Sequence, residues 1–338
     1  MTAAEINRLL SHGKFPETTL QQKLVETHIS WVILGDLFVY KIKKPIKYSF
    51  LDFSTIELRK QFCERELELN QRFSDNVYLE VLPINELQGD FNIGHKEGVL
   101  VDYALKMRKL DPEKQMDVLV AENKVSAADI KKLAESIAGF HKTTAIIYEK
   151  NVLDVAGKFN DLGLEKKFLS QNLGPDYENR IDRAIKTSNT FLEKNNSLLL
   201  ERLRFGFIRD CHGDLHTRNI FLLPEPQPFD CIEFNDAYRE IDVLNEVAFL
   251  CMDLDALGRK DLSDLFIEQY NYLFPTIRTK VDYRLFIYYK SYRANVRAKV
   301  NSLRAKNATS NSDSITALFE VKKYFDLMEG YLQSLNRR

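Results

Sequence analysis

Two β-rich runs, ISWVIL at 29–34 and LFVYKI at 37–42, flank Gly35-Asp36, and the pattern predicts a hairpin. From Ser54 the period lengthens. Ser54 and Glu57 read as an S-x-x-E capping box, with a helix running to about Phe73. Leu58, Phe62, Leu69 and Phe73 form its apolar stripe. Glu66 falls inside that stripe, while Glu64 and Glu68 fall off it and read as solvated. Runs at 77–84 and 98–105 predict further strands. The first part of the chain thus reads as a small sheet plus one helix, an α+β pattern.

After Asp111-Pro112 the pattern turns helical. Ser126 and Asp129 can cap a helix whose buried face is Ile130, Leu133, Ala134, Ile137 and His141, the last a satisfied core histidine. Residues 145–205 read as polar helices broken by a turn at LGPD, 173–176. A second hairpin is expected around PEPQP, 224–228, with helices to the end and Asp242 capping the helix DVLNEVAFL. In YYKSYRANVRAKVNSLR, Lys290, Arg293, Arg297 and Arg304 share one face. Tyr289, Tyr292, Val296, Val300 and Leu303 share another. A solvated basic side is the plainer expectation; anion recognition beside an acceptor is the sharper one. The polar patch NATSNSDS, 307–314, reads as a loop. Two domains are expected, 1–108 and 109–338.

Composition narrows the classes. The chain has 338 residues, enough for two lobes and a sizeable core, and a net charge of −1. That balance marks neither a nucleic-acid nor a membrane-surface protein. No apolar stretch is long enough to span a bilayer, and MTAAEINRLL has no secretion-signal pattern. Four scattered cysteines without a C-x-x-C pair fit a reducing cytoplasm and no structural zinc.

The chemistry concentrates in CHGDLHTRNIFLL, 211–223. His212-Gly213-Asp214-Leu215 followed by Asn219 fits the H-x-D-L-x-x-x-N spacing of kinase catalytic loops. Such a loop needs a carboxylate to orient or accept a hydroxyl proton, here Asp214. It also needs a hard oxygen donor for Mg²⁺, here Asn219. His212 reads as an orienter of the loop. A second metal ligand should return on the next strand, where Asp230 and Glu233 are both available. A turn centred near Glu225 and Pro226 would set Glu233 opposite Arg218 and Asn219 and favours it. Lys41 ends the apolar run FVY, with Lys43, Lys44 and Lys47 as solvated neighbours. A carboxylate in an apolar stripe is costly unless paired, so Lys41 is the expected partner of Glu66.

With HGDLHTRN, FDCIEF, VYKIKKP and ERELELN assembled, the chain resembles the aminoglycoside phosphotransferase-like branch of the protein-kinase-like superfamily. It is most similar to a bacterial subgroup marked by RDCHGDLH, FDCIEFND and YRANVRAKV. The resemblance runs from about Thr27 to Arg304. It implies an N-lobe of sheet and helix, a hinge and a helical C-lobe, with ATP and Mg²⁺ between the lobes. It implies Asp214 as catalytic aspartate, Asn219 as metal ligand with Glu233 or Asp230, and Lys41–Glu66 as the phosphate anchor. It also implies a hinge within Tyr103–Leu110, so that Tyr103, Met107 and Lys109 border the adenine. Two departures stand out. No G-x-G-x-x-G precedes the first strand pair, and the second metal motif is not D-F-G. Relatives in the subgroup can carry a P-loop domain, but this chain has no G-x-x-x-x-G-K-[ST].

The leading expectation is an ATP-dependent kinase of a small hydroxyl-bearing acceptor, neither named by the sequence nor accompanied by any sign of oligomeric state. One rival is a pseudokinase-like nucleotide-binding module. Another is a metallohydrolase with His212, Asp214 and His216 on one strand face.

Overall fold

The structure is a computed structural model that describes residues 1–48, 51–74, 76–308 and 310–336. In chain order its elements are α1 (Ala3–His12), β1 (Lys23–Glu26), β2 (Ser30–Leu34), β3 (Phe38–Lys43), β4 (Lys47–Tyr48), β5 (Leu51–Asp52), α2 (Ile56–Gln71), β6 (Tyr78–Leu87), β7 (Asp90–Ile93) and β8 (Val99–Arg108). There follow α3 (Met116–Ala121), α4 (Ala127–Thr143), α5 (Asp154–Asn160), α6 (Lys166–Leu173), α7 (Asp176–Lys194), α8 (Asn196–Arg204), β9 (Ile208–Asp210), β10 (Ile220–Phe221), β11 (Gln227–Pro228), β12 (Glu240–Asp242), α9 (Val243–Ala256), α10 (Lys260–Leu273), α11 (Lys280–Lys306) and α12 (Asn311–Asn336). They divide into two compact units, Met1–Val118 with Asn219–Tyr238, and Leu119–Arg218 with Arg239–Arg338.

The first unit is built on an antiparallel six-stranded sheet in the order β1-β2-β3-β8-β6-β7. Alternation along β3 decides what each face carries. Tyr40 and Ile42 turn to one face and pack with Ile6 and Leu9 of α1, Trp31, Ile33, Ile84, Phe91 and Ala104. Lys41 and Lys43 turn to the other, where α2 lies. Leu105 joins Cys63, Val77 and Tyr78 there, with Met107 and Phe229 against them. The helix begins one residue later than its S-x-x-E pattern suggests. Thr55 is the cap and accepts from the Leu58 amide at 3.3 Å, because Ser54 is engaged with Asp52 at 2.6 Å. The stripe is rotated as well. Arg59, Cys63, Glu66, Leu69 and Asn70 are buried on α2, while Glu64 and Glu68 are exposed as expected.

The second unit is helical. Ser126 and Asp129 form the expected capping box of α4, and the expected Ile130, Leu133, Ala134, Ile137 and His141 are buried, with Ala138 beside them. His141 Nδ1 lies 2.8 Å from the Tyr270 hydroxyl. α9 is buried from Val243 to Leu254, as befits a helix apolar on nearly every side. Asp242 caps it through the Leu244 amide and also receives the buried Arg202 guanidinium, which reaches Asp282 as well. The basic side of α11 is not solvated. Lys290 pairs with Asp255 at 2.5 Å and Arg293 is buried, because α9 and α12 pack on either side; Arg304 alone of the four is exposed. Residues 311–314 open α12 instead of forming a loop, and Thr309 of that patch lies outside the described residues.

Candidate functional site

In the first unit, parity on β3 and the buried line of α2 bring five charges together. Lys41 Nζ is 2.7 Å from Glu66 Oε1 and 2.6 Å from Asp230 Oδ1. Lys43 Nζ is 2.7 Å from Glu66 Oε2 and also bonds Glu233. The Lys41–Glu66 pair is thus formed. Lys43, expected to be solvated, is 1% exposed, because it shares Lys41's face of the strand. Period-two alternation was the signal that could have found it.

The electrostatics follow from burial and pairing. Burial alone would raise the Glu66 carboxyl, but Lys41 and Lys43 overcome it and hold it down at about 2. Burial works against the Lys41 ammonium, yet Asp230 and Glu66 outweigh it and keep its titration well above the usual lysine range. Glu233 is pushed up, by burial first and by the neighbouring Glu66 charge, with Lys43 opposing.

The hairpin that delivers the acids is shorter than the pattern suggests. β10 and β11 pair Ile220 with Pro228 and Phe221 with Gln227, so the turn centres one to two residues earlier than Glu225–Pro226. Asn219 is then level with Phe229, whose amide donates to the Asn219 carbonyl at 3.0 Å. Asp230 follows at once; Glu233 does not sit opposite Arg218 and Asn219. The backbone of Asp230 is left-handed, with φ of 62°. Its amide donates to the Tyr78 hydroxyl at 2.9 Å, and its side chain is 44% exposed. The next amide, of Cys231, donates to Asn70 Oδ1 at 3.0 Å.

The three adenine-border candidates have separate surroundings. Lys60 of α2 sits 5.7 Å from the centre of the Tyr103 ring. Met107 packs in the cluster with Tyr78 and Phe229. Lys109 ties itself to the β2–β3 turn, Nζ to the Gly35 carbonyl at 2.8 Å.

In the second unit, 211–216 form a loop, not a strand, so His212, Asp214 and His216 do not line up on one strand face. α9 holds the loop at two points. Glu246 accepts the amides of His212 (2.6 Å) and Gly213 (3.0 Å). Asp253, two helical turns on, accepts the Thr217 amide (3.0 Å) and hydroxyl (2.6 Å). Gly213 has φ of 89°, open to glycine at little cost. Arg293 of α11 clamps the Gly213 carbonyl at 3.0 Å while its Nε bonds Asn245 at 2.7 Å. Glu246, Asp253 and Arg293 hold the loop in place, contacts that the loop motif alone does not reveal.

The two histidines serve as orienters. His212 Nδ1 accepts the Asp214 amide at 3.3 Å, and His216 Nδ1 accepts the Arg218 amide at 3.2 Å. His216 Nε2 then carries the hydrogen and faces Asp214 Oδ2 at 3.4 Å. Burial would raise the Asp214 carboxyl, but His216 and then Arg297 hold it well below the usual carboxylate range. Among the described residues, the one cluster of three metal-ligand types within 4.8 Å is His141, Cys211 and Glu246, not the loop trio.

No protein-family model matches the chain. In sequence it is 33% identical over 287 residues to an uncharacterised protein of Mycobacterium tuberculosis strain H37Rv, and to one of Mycobacterium bovis to the same extent. That is 82% of this chain but 54% of each relative, so the chain spans about half the length of the curated relatives it matches. In structure it matches choline kinase from Cryptosporidium parvum with a TM-score of 0.57 and 10% identity, over 94% of this chain and 91% of that one. It matches the GDP and kanamycin complex of APH(2″)-IIia with a TM-score of 0.54 and 12% identity, over 99% and 100%. A choline/ethanolamine kinase family protein from Mesorhizobium loti gives 0.52 and 12%, over 98% of both chains. The chain has the protein-kinase-like fold of the aminoglycoside phosphotransferases. Within that kinase-like fold, an antiparallel sheet with α2 carries Lys41, Lys43 and Glu66, the segment after β11 carries Asp230 and Glu233, and a helical unit carries the loop of Asp214. No helix among the described residues is long and apolar enough to cross a membrane.

Proposed function

We propose that the chain is an ATP-dependent phosphotransferase acting on a hydroxyl of a small molecule. The observation that carries the reading is the Asp214 loop. Its carboxylate is about one-third exposed, faces His216 Nε2 at 3.4 Å and is held below the usual carboxylate range, and the loop backbone is pinned from α9 and α11. A carboxylate so held can accept a hydrogen bond from an acceptor hydroxyl and direct its lone pair. Lys41, paired with Glu66, is the cation suited to nucleotide phosphate oxygens. Asn219 and Asp230 offer an amide and a carboxylate oxygen, a donor set that fits Mg²⁺. Bound there, Mg²⁺ would neutralise phosphate charge. Both acids are paired with a lysine, but Glu233 is the poorer candidate because it and Lys43 are buried, whereas Asp230 reaches solvent. The structural neighbours' names support the same class: a choline kinase, an aminoglycoside phosphotransferase, and an APH(2″) in complex with GDP and kanamycin.

The test is Asp214→Ala. We expect Mg–ATP binding by calorimetry within about threefold of wild type, and loss of acceptor-dependent ATP turnover by roughly 10³-fold or more, found by screening a metabolite library. Unchanged turnover with the true acceptor would remove Asp214 from the chemistry. Nucleotide binding without any turnover in the wild type, and without Mg²⁺ dependence, would favour a binding module.

A further inference from the structure

We propose that Lys43 is a second positioning cation for nucleotide phosphates in the first unit, with Glu233 as its buried counter-ion and not a metal ligand. The inference rests on the kinase reading and deepens it. Glu66 is bridged symmetrically: one carboxylate oxygen takes Lys41, the other Lys43, each at 2.7 Å. The two lysines differ in what else they touch. Lys41 is partly exposed, and its second partner, Asp230, is half-exposed. Lys43 is sealed: its ammonium lies 4.8 Å from the centre of the buried Phe53 ring and bonds the buried Glu233.

That asymmetry divides the labour. Lys41 can exchange Asp230 for a phosphate oxygen because both it and Asp230 reach solvent. When it turns to phosphate, Glu66 would lose part of its compensation in a buried setting. Lys43 keeps that carboxylate charged and fixed, so Glu66 continues to aim Lys41. Lys43 can do so only if its own charge is balanced, and the carboxylate that balances it is Glu233. With three acids and two lysines in the cluster, removing Lys43 leaves Glu66 and Glu233 as two buried carboxylates beside a single ammonium. Asp230, released when Lys41 turns to phosphate, is then the acid that can meet a metal.

The experiment pairs nucleotide titration with stability on four chains: wild type, Lys43→Met, Glu233→Gln and the double variant. Lys43→Met should weaken Mg–ATP binding by about tenfold and lower the melting temperature. The double variant should regain most of the lost melting temperature, since the uncompensated Glu233 charge is gone, yet keep the weakened nucleotide affinity. Glu233→Gln alone should leave the Mg²⁺ dependence of nucleotide binding as in wild type. The idea is overturned if Lys43→Met binds Mg–ATP as wild type does, if the double variant recovers affinity along with stability, or if Glu233→Gln abolishes the Mg²⁺ dependence. A wild type that binds no nucleotide would instead overturn the kinase reading itself, and this inference with it.

Discussion

At the scale of single residues, the balance of burial against pairing separates two acids of the loop region. Asp214 is kept charged by His216 and Arg297, whereas burial pushes Glu246 up to about 7 despite the amides and Arg293 that favour its charged form. The sign of the pH effect follows. The folded chain binds the Glu246 proton more tightly than the unfolded chain does. That group therefore favours folding most at low pH, and the advantage is lost as pH rises from its ordinary value of 4.5 towards about 7. Melting curves across that window should show wild type losing stability relative to Glu246→Gln as pH rises, with a constant difference beyond about pH 8. Parallel curves would mean that Glu246 is ionised throughout. Its roles as proton binder and as acceptor for two amides are both invisible in the sequence, where it is one acid in NEVAFL.

At the scale of elements, the sequence pattern located helices well and their exact faces less well. The capping box of α4 and five of its six buried positions follow directly from spacing, because Ser126 and Asp129 bond each other. On α2 there is competition: Asp52 captures Ser54, and Thr55 becomes the cap. Thr55→Ala should therefore cost about 1 kcal/mol in urea denaturation and Ser54→Ala clearly less; the reverse order would contradict the cap. The rotated stripe has a similar origin. Polar residues that find buried partners, Arg59 with Asp102, and Glu66 with the lysines, displace Leu58 and Phe62 towards the edge of the face. A hydrophobicity pattern cannot foresee those partners, since Asp102 lies on a strand far along the chain. The hairpin error at Glu233 is subtler. Only two residues pair on each side, so the return segment leaves the ladder before the acids are reached.

At the scale of the whole molecule, the kinase reading predicts a ligand-linked gain in stability. Mg–ATP at about 100 times its dissociation constant should stabilise the chain by about 2.7 kcal/mol. Asp230→Asn should remove the Mg²⁺-dependent part of that gain in a thermal-shift titration. A shift that is indifferent to Mg²⁺ in both chains would take Asp230 out of metal binding. The support of the Asp214 loop carries a further implication. Both ends of the loop hang from one helix, at Glu246 and Asp253, and that helix is itself anchored by Asp242 to Arg202. Sliding α9 by a single residue would unhook both ends together, so no insertion in the segment between β12 and Asp253 can be absorbed locally. Strand, helix and loop are thus keyed together, and a change of register in one is a change in all three.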